Sequence, residues 1–121
     1  MQWRLHPPIT ALCCFREREP DARAVVETIS TAGGDAHRVR ADVAQAVQRR
    51  TLVRAALDAY GRVDVLVNNA GVHLPGVTLG DIPAEQWQRI LQVNLSGPFH
   101  PTQAVLPHMR ERHSGHIINL S

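Results

Sequence analysis

The sequence predicts an α/β chain, a parallel sheet with a helix on each strand-to-strand connection. Three observations carry this. Short apolar runs of strand length recur at Ala11–Phe15 and Val63–Val67, with weaker ones at 36–40 and 116–120. Between them lie segments whose apolar residues fall at helical spacing. Gly, Pro or acidic residues punctuate the junctions. The order is β-α-β-α-β-α-β, with no internal repeat and no low-complexity tract. Such alternation implies a parallel sheet with helices on both faces and right-handed crossovers. At 121 residues the length is that of one domain, 1–121, with 1–10 as an atypical N-terminal segment.

The elements follow in order. Ala11-Leu12-Cys13-Cys14-Phe15 is a buried strand ending in the charged run 16–19. Pro20 and Asp21 open a helix, since Pro suits the first turn and an acid suits its positive end. Ala24, Val25, Ile29 and Ala32 form its stripe, and Gly33-Gly34 stops it with a left-handed cap. A strand at 36–40 follows, entered through Asp35. Asp42 is expected to cap the next helix, on which Val43, Ala46, Val47, Leu52, Val53, Ala56 and Leu57 recur, and Gly61 ends it. Val63–Val67 is nearly all apolar and β-branched, as a strand covered on both faces would be. Asn68 to Ile82 is a loop. Pro83-Ala84-Glu85 starts a long helical region running past Met109, and Gly115 leads into the last strand at 116–120.

Composition narrows the chemistry. The 13 basic residues against 11 acidic give a net charge of +2, which is too balanced for a polyanion binder, so no nucleic-acid partner is expected. All 13 are Arg, and the chain has no Lys and one tyrosine, Tyr60. A Schiff base, a Walker lysine or a Tyr–Lys pair is therefore excluded within these residues. Arg49, Arg50 and Arg54 read as the solvated face of their helix. Cys13 and Cys14 are adjacent, a strained place for a bridge, and read as small apolar strand residues. His108, His113 and His116 do not have the spacing of a ligand set, and no metal is expected. No apolar run reaches the ~18 residues of a membrane span. The first residues, broken by Pro7 and Pro8, lack the apolar region of a signal peptide. The expected setting is cytoplasmic, without a membrane partner.

In open parallel sheets ligands bind beyond the carboxyl ends of the strands. Three polar clusters stand there: Arg16 and Arg18 after the first strand, Asp42 after the second, and Asn68-Asn69-Ala70-Gly71 after the third. Each has a plain alternative as solvated charge, helix cap or turn. At three successive strand ends they favour a nucleotide site. A further feature lies in the long helical region. An α-helix would bond the N–H of residue 98 to the carbonyl of Asn94. Pro98 has no N–H, so it leaves that carbonyl open to water or a side chain, unless it merely kinks the helix. Pro101 and Pro107 do the same for Gly97 and Gln103.

These residues carry a resemblance. Asp64-Val65-Leu66-Val67-Asn68-Asn69-Ala70-Gly71 resembles the Asn-Asn-Ala-Gly strand end of the short-chain dehydrogenase/reductases. Val93-Asn94-Leu95-Ser96-Gly97-Pro98-Phe99 resembles that family's helix with the active-site Asn, and Ser114 to Ser121 the strand leading to its catalytic Ser. Ala41-Asp42-Val43 resembles its adenine-contacting segment, and Gly61-Arg62-Val63-Asp64 its entry to the central strand. The likeness runs from about Ala11 to Ser121 in the right order and spacing.

The resemblance implies a Rossmann-like, doubly wound fold, NAD or NADP, and hydride transfer between nicotinamide and a small carbonyl or alcohol substrate. It places Asp42 and Val43 at the adenine and Asn68, Asn69, Ala70 and Gly71 along the adenine-ribose and nicotinamide side. By the same resemblance Asn94 would be the catalytic Asn, its main-chain carbonyl holding a relay water. The NAD-preferring members carry an acid about where Phe15 stands, and Arg16 follows. An Arg there can meet a 2′-phosphate, which favours NADP over NAD. A homo-oligomer through the long helix is a further expectation.

The chain also departs from the family pattern. It contains no Gly-x-Gly, so the phosphate-cradling turn has no counterpart. The catalytic Ser aligns just after Ser121. Tyr60 has Asp64 four residues on, where the family has Lys. The expectation is a partial Rossmann-like domain, lacking the first strand with its Gly-rich turn and the C-terminal strands. Such a fragment would be inactive alone, with weak or no cofactor binding. The alternative is a non-catalytic nucleotide-binding or oligomer-partner module. In the strand order 3-2-1-4-5-6 the first strand is the sheet centre. Either the Val63 strand pairs with the Ala11 strand or 2–5 fills the gap, leaving apolar edges and marginal stability.

Overall fold

The computed structural model describes residues 10–120. They form two compact units, divided in sequence between Asp42 and Val43. The first is a β-α-β unit: β1 (Thr10–Phe15), α1 (Glu19–Thr31) and β2 (Asp35–Arg40). β1 and β2 are parallel, in register from Thr10↔Asp35 to Phe15↔Arg40. The helix begins one residue before Pro20, with Glu19 and Asp21 in its first turn and Arg18 ion-paired to Asp21. It ends as expected: Gly33 takes φ +86°, and the N–H groups of Gly33 and Gly34 bond the carbonyls of Ser30 and Ile29. Ala22, Ala36 and Ala41 are the buried residues of this first unit. Alanine side chains remove little apolar surface from water, so this unit's core is thin.

The second unit holds α2 (Ala46–Tyr60), β3 (Val65–Asn68), α3 (Ala84–Leu91), α4 (Gly97–Glu111) and β4 (His116–Asn119). β3 and β4 are parallel, from Val65↔His116 to Asn68↔Asn119. Bonds from the His116 N–H to the Asp64 carbonyl (2.9 Å) and from the Leu120 N–H to the Asn68 carbonyl (3.1 Å) extend the ladder. Val53 of α2 meets Val105 and Met109 of α4 in the core, with Leu57, Val63, Leu66, Ala104 and Ile117 packed around them. Val105 is 1% exposed. Burying a side chain of that size contributes ~1.5–3 kcal/mol.

Several expectations change. β3 starts two residues later than its apolar run, because Val63 packs into the core before the ladder begins. That strand is covered on one face only: Leu66 packs inward, while Val65 and Val67 are each about half exposed, as is Ile118 beside Val67. α2 begins at Ala46 after Gln45, so Asp42 does not cap it and Val43 precedes it. The reason lies in Arg49, whose guanidinium donates to the Val43 carbonyl and holds Val43–Gln45 in a turn. Arg49 itself is buried, not part of the solvated face, whereas Arg50 and Arg54 are exposed. Among the described residues β1 pairs only with β2 and β3 only with β4. Residues 2–5, offered as a gap-filling strand, and Ser121 lie outside the described residues.

Candidate functional site

The residues singled out from sequence fall in both units. In the first, the chain leaving β1 and the chain leaving β2 are tied together. The Ala41 N–H donates to the Phe15 carbonyl at 2.8 Å, and Arg40 Nε donates to the Arg16 carbonyl at 3.1 Å. Cys14 Sγ donates to the Ala41 carbonyl at 3.5 Å, and burial pushes that thiol's pKa above its ordinary value. These bonds bring Arg16 and Asp42 side by side. The Arg16 guanidinium lies 2.6 Å from Glu17 and 4.0 Å from Asp42. A cation and a carboxylate thus stand together beyond the carboxyl ends of β1 and β2, the side on which open α/β sheets bind ligands. Arg18 turns instead to Asp21 at the start of α1.

In the second unit the Asn-Asn-Ala-Gly segment leaves β3 and turns toward the long helical region. Asn68 stays in the ladder. Its side-chain amide donates to Asn119 Oδ1 at 2.8 Å and to Thr102 Oγ1 at 3.3 Å, linking β3 to β4 and to α4. Asn69, Ala70 and Gly71 follow as exposed, irregular chain. Asn94 lies on the π-helical turn Gln92–Ser96, which joins α3 to α4. Its side chain grips the loop from both sides. Asn94 Oδ1 accepts from the Val72 N–H and Asn94 Nδ2 donates to the Val72 carbonyl, both at 2.8 Å. A Cβ on Gly71 would lie 3.8 Å from Asn94 Oδ1, in ordinary contact. Asn94 and the Asn-Asn-Ala-Gly loop are therefore one assembly.

The π turn gives the Pro98 expectation a form. The helix does not simply kink. It widens to i→i+5 spacing over Gln92–Ser96 and restarts as α4, with Pro98 in the first turn, where no backbone donor is needed. Val43 comes close to this junction: a Cβ on Gly97 would lie 3.5 Å from Val43 Cγ2. Beside the loop is a cleft of about 190 Å³, lined by Val72, His73, Leu74, Glu85, Gln86, Arg89 and Ile90. His73 and Leu74 carry no assigned role from sequence. Sequence reasoning missed Val72, Thr102 and Asn119 as partners, because a backbone amide and two small polar side chains carry no periodic signal. It also missed Arg49, whose burial was readable: it stands four residues before Val53, on the stripe facing the core.

At the entrance to β3, Arg62 donates to both carboxylate oxygens of Asp64 (3.0 Å from Nε), and Arg112, the residue just after α4, donates at 2.9 Å. The hydrogen bond from Arg62 first, then that from Arg112, holds the Asp64 carboxyl below its usual pKa.

Parallel β-α-β units, with polar groups gathered where strands end, define a Rossmann-like α/β domain. Comparison with known proteins narrows the class. Residues 8–121 match the family described as short chain dehydrogenase. An oxidoreductase of Methylorubrum extorquens is 49% identical over 107 residues, which are 88% of this chain and 42% of that protein. The 3-oxoacyl-[acyl-carrier-protein] reductase of a Synechocystis species is 42% identical over 107 residues, again 88% of this chain and 43% of that protein. The crystal structure of a metagenomic short-chain oxidoreductase in complex with NADP superposes with a TM-score of 0.85 at 36% identity. It covers 91% of this chain and 49% of that one. The chain belongs to the short chain dehydrogenase family and spans under half the length of these relatives.

Proposed function

We propose that the chain is the central part of an NAD(P)-dependent oxidoreductase that moves hydride between nicotinamide and a small carbonyl or alcohol. The observation that carries this reading is the double hydrogen bond between Asn94 and Val72, which joins the helix-borne Asn to the Asn-Asn-Ala-Gly loop in a chain of this family. Asn94 is the catalytic Asn of the reading. Its backbone carbonyl holds the relay water, and its side chain fixes where that carbonyl stands. Asp42 and Val43 take the adenine, Asn68, Asn69, Ala70 and Gly71 the ribose and nicotinamide side, and Arg16 a 2′-phosphate. The Arg16 guanidinium just after the end of β1 and the NADP of the metagenomic relative support NADP over NAD.

The residues present fit such a cofactor only in part. Arg16 and Asp42 offer a guanidinium and a carboxylate for the adenosine end. No Gly-x-Gly occurs in the 121 residues, so nothing equivalent to a glycine-rich cradle meets the pyrophosphate. No step through the dinucleotide is therefore assigned to this chain. With no Lys in the sequence, no Tyr–Lys pair can protonate the substrate oxygen, and the 121 residues alone are expected to be inactive. The same two absences favour a second reading, a non-catalytic module that binds a nucleotide weakly or joins a partner. A homo-oligomer through the long helical region belongs to either reading, supported by Leu95 and Phe99, which are more than half exposed.

Calorimetric titration of the folded chain with NADPH and NADH tests the cofactor assignment. The expected result is weak heat with NADPH, reduced by Arg16→Ala. No heat from folded protein removes the nucleotide reading and leaves the partner module.

A further inference from the structure

Arg49 is the one polar residue buried among the described residues, at 4% exposed. It lies in the first turns of α2, where the helix presents its positive end, an unfavourable place for a cation. Its Nη1 reaches back six residues, past the start of the helix, to donate to the Val43 carbonyl. Its Nε has no hydrogen-bond partner. A buried charge with incomplete pairing often returns no more than it costs, so the bond to the Val43 carbonyl is what sets this guanidinium apart from an apolar side chain of its length. Gln45, the residue flanking the helix, makes no side-chain cap. On its other side Val43 rests against Gly97, where α4 starts after the π turn.

We propose that Arg49 is a positioning residue for the nucleotide side of the site. By taking the Val43 carbonyl it fixes the peptide plane between Val43 and Ala44, and with it the turn Val43–Gln45. Arg49 stands one turn before Val53 on the same buried face of α2, and its guanidinium bonds the turn that precedes the helix. This inference rests on the reading that Val43 faces the adenine. It adds a residue that touches no cofactor and acts only through Val43.

The test compares the full chain with Arg49→Met, which keeps length but removes every donor, and with Arg49→Lys, which keeps a charged donor group. In Arg49→Met the melting temperature is expected to hold or rise, because the unpaired Nε is gone. The carbonyl and amide resonances of Val43–Gln45 shift, and backbone order falls there and not along β3 or β4. NADPH affinity drops about five- to tenfold. Arg49→Lys restores most of the local order and affinity. Unchanged order at Val43–Gln45 in Arg49→Met overturns the proposal. So does a loss spread over the whole unit with a falling melting temperature, which marks a packing role. If the unmutated chain binds no NADPH, the cofactor reading fails, and the local order of the two variants still decides whether Arg49 holds the turn. If it binds and Arg49→Met binds equally, the link to the nucleotide fails alone.

Discussion

At the scale of single residues, Asn94 shows how one side chain can serve a site twice. An amide offers a donor and an acceptor in one plane, which suits the backbone N–H and C=O of Val72. Asn94→Ala removes both bonds and is expected to cost ~1–2 kcal/mol in denaturant unfolding. It should also speed hydrogen exchange at the Val72 amide more than at β3. A second expectation concerns Asp64. Its folded pKa is lowered by Arg62 and Arg112, so its contribution is fully present above the unfolded value of ~3.9 and fades as pH falls through the lower folded one. Asp64→Asn should therefore destabilise at pH 7, and the gap to the parent should close below pH 4 in parallel melts. Asn94 and Asn68 stand out in the sequence because short motifs mark them, and the structure ties them to Val72, Thr102 and Asn119. Their partners do not stand out, because Val72, Thr102 and Asn119 become neighbours only after the chain has turned back on itself. Arg49 was misread because charge was weighed above its place on the helical stripe.

Among the elements, every helix and strand expected from periodicity is present; the long helical region is divided by the π turn at Gln92–Ser96, and the other differences lie at element ends. Ends are set by what the backbone can bond, which pattern alone does not reveal. α4 illustrates this. It closes with the same pair of bonds as α1: the His113 and Ser114 N–H groups reach the carbonyls of Arg110 and Met109. In α1 the left-handed position is Gly33, but here it is His113, at φ +51°. A side chain in that conformation costs ~1–2 kcal/mol. His113→Gly is accordingly expected to raise stability by about 0.5–1 kcal/mol, read from the denaturant midpoint at constant slope, with Gly33→Ala moving it the other way. The start of α2 was misplaced for a related reason: an Asp before an apolar run reads as a cap, yet the turn after Asp42 is held by a side chain from within the helix.

For the molecule as a whole, the described strands form two separate two-stranded sheets, so each strand has one edge unpaired among the described residues. Isolated two-stranded sheets are marginal without packing, and exposed edges beside apolar faces invite association. Val65, Val67 and Ile118 lie on such a face. The 121-residue chain is expected to melt broadly and to aggregate as concentration rises, seen by calorimetry together with light scattering. A sharp, concentration-independent transition of purified monomer would contradict this. The sequence could announce parallel β-α-β order, because that follows from local patterns. The separation of β1 and β2 from β3 and β4 has no local signal. It followed from the family's strand order, in which the strand without a counterpart is the central one, whereas the alternative pairing of the Val63 strand with the Ala11 strand is not found among the described residues.

The π turn has one more effect, on direction. Val93, Gly97, Pro101, Val105 and Met109 are all buried, at steps of four. In a regular α-helix a step of four overshoots a full turn by ~40°, so such a row would drift about 160° over its length. The wider turn at Gln92–Ser96 takes back part of that drift where the row begins. It acts as a phase correction between the two helical segments it joins. Deleting one residue there would turn α3 by ~100° against α4 and carry Trp87 and Ile90 to another azimuth. On this stretch of chain, the same spacing in sequence means one bearing before Gln92 and another after Ser96.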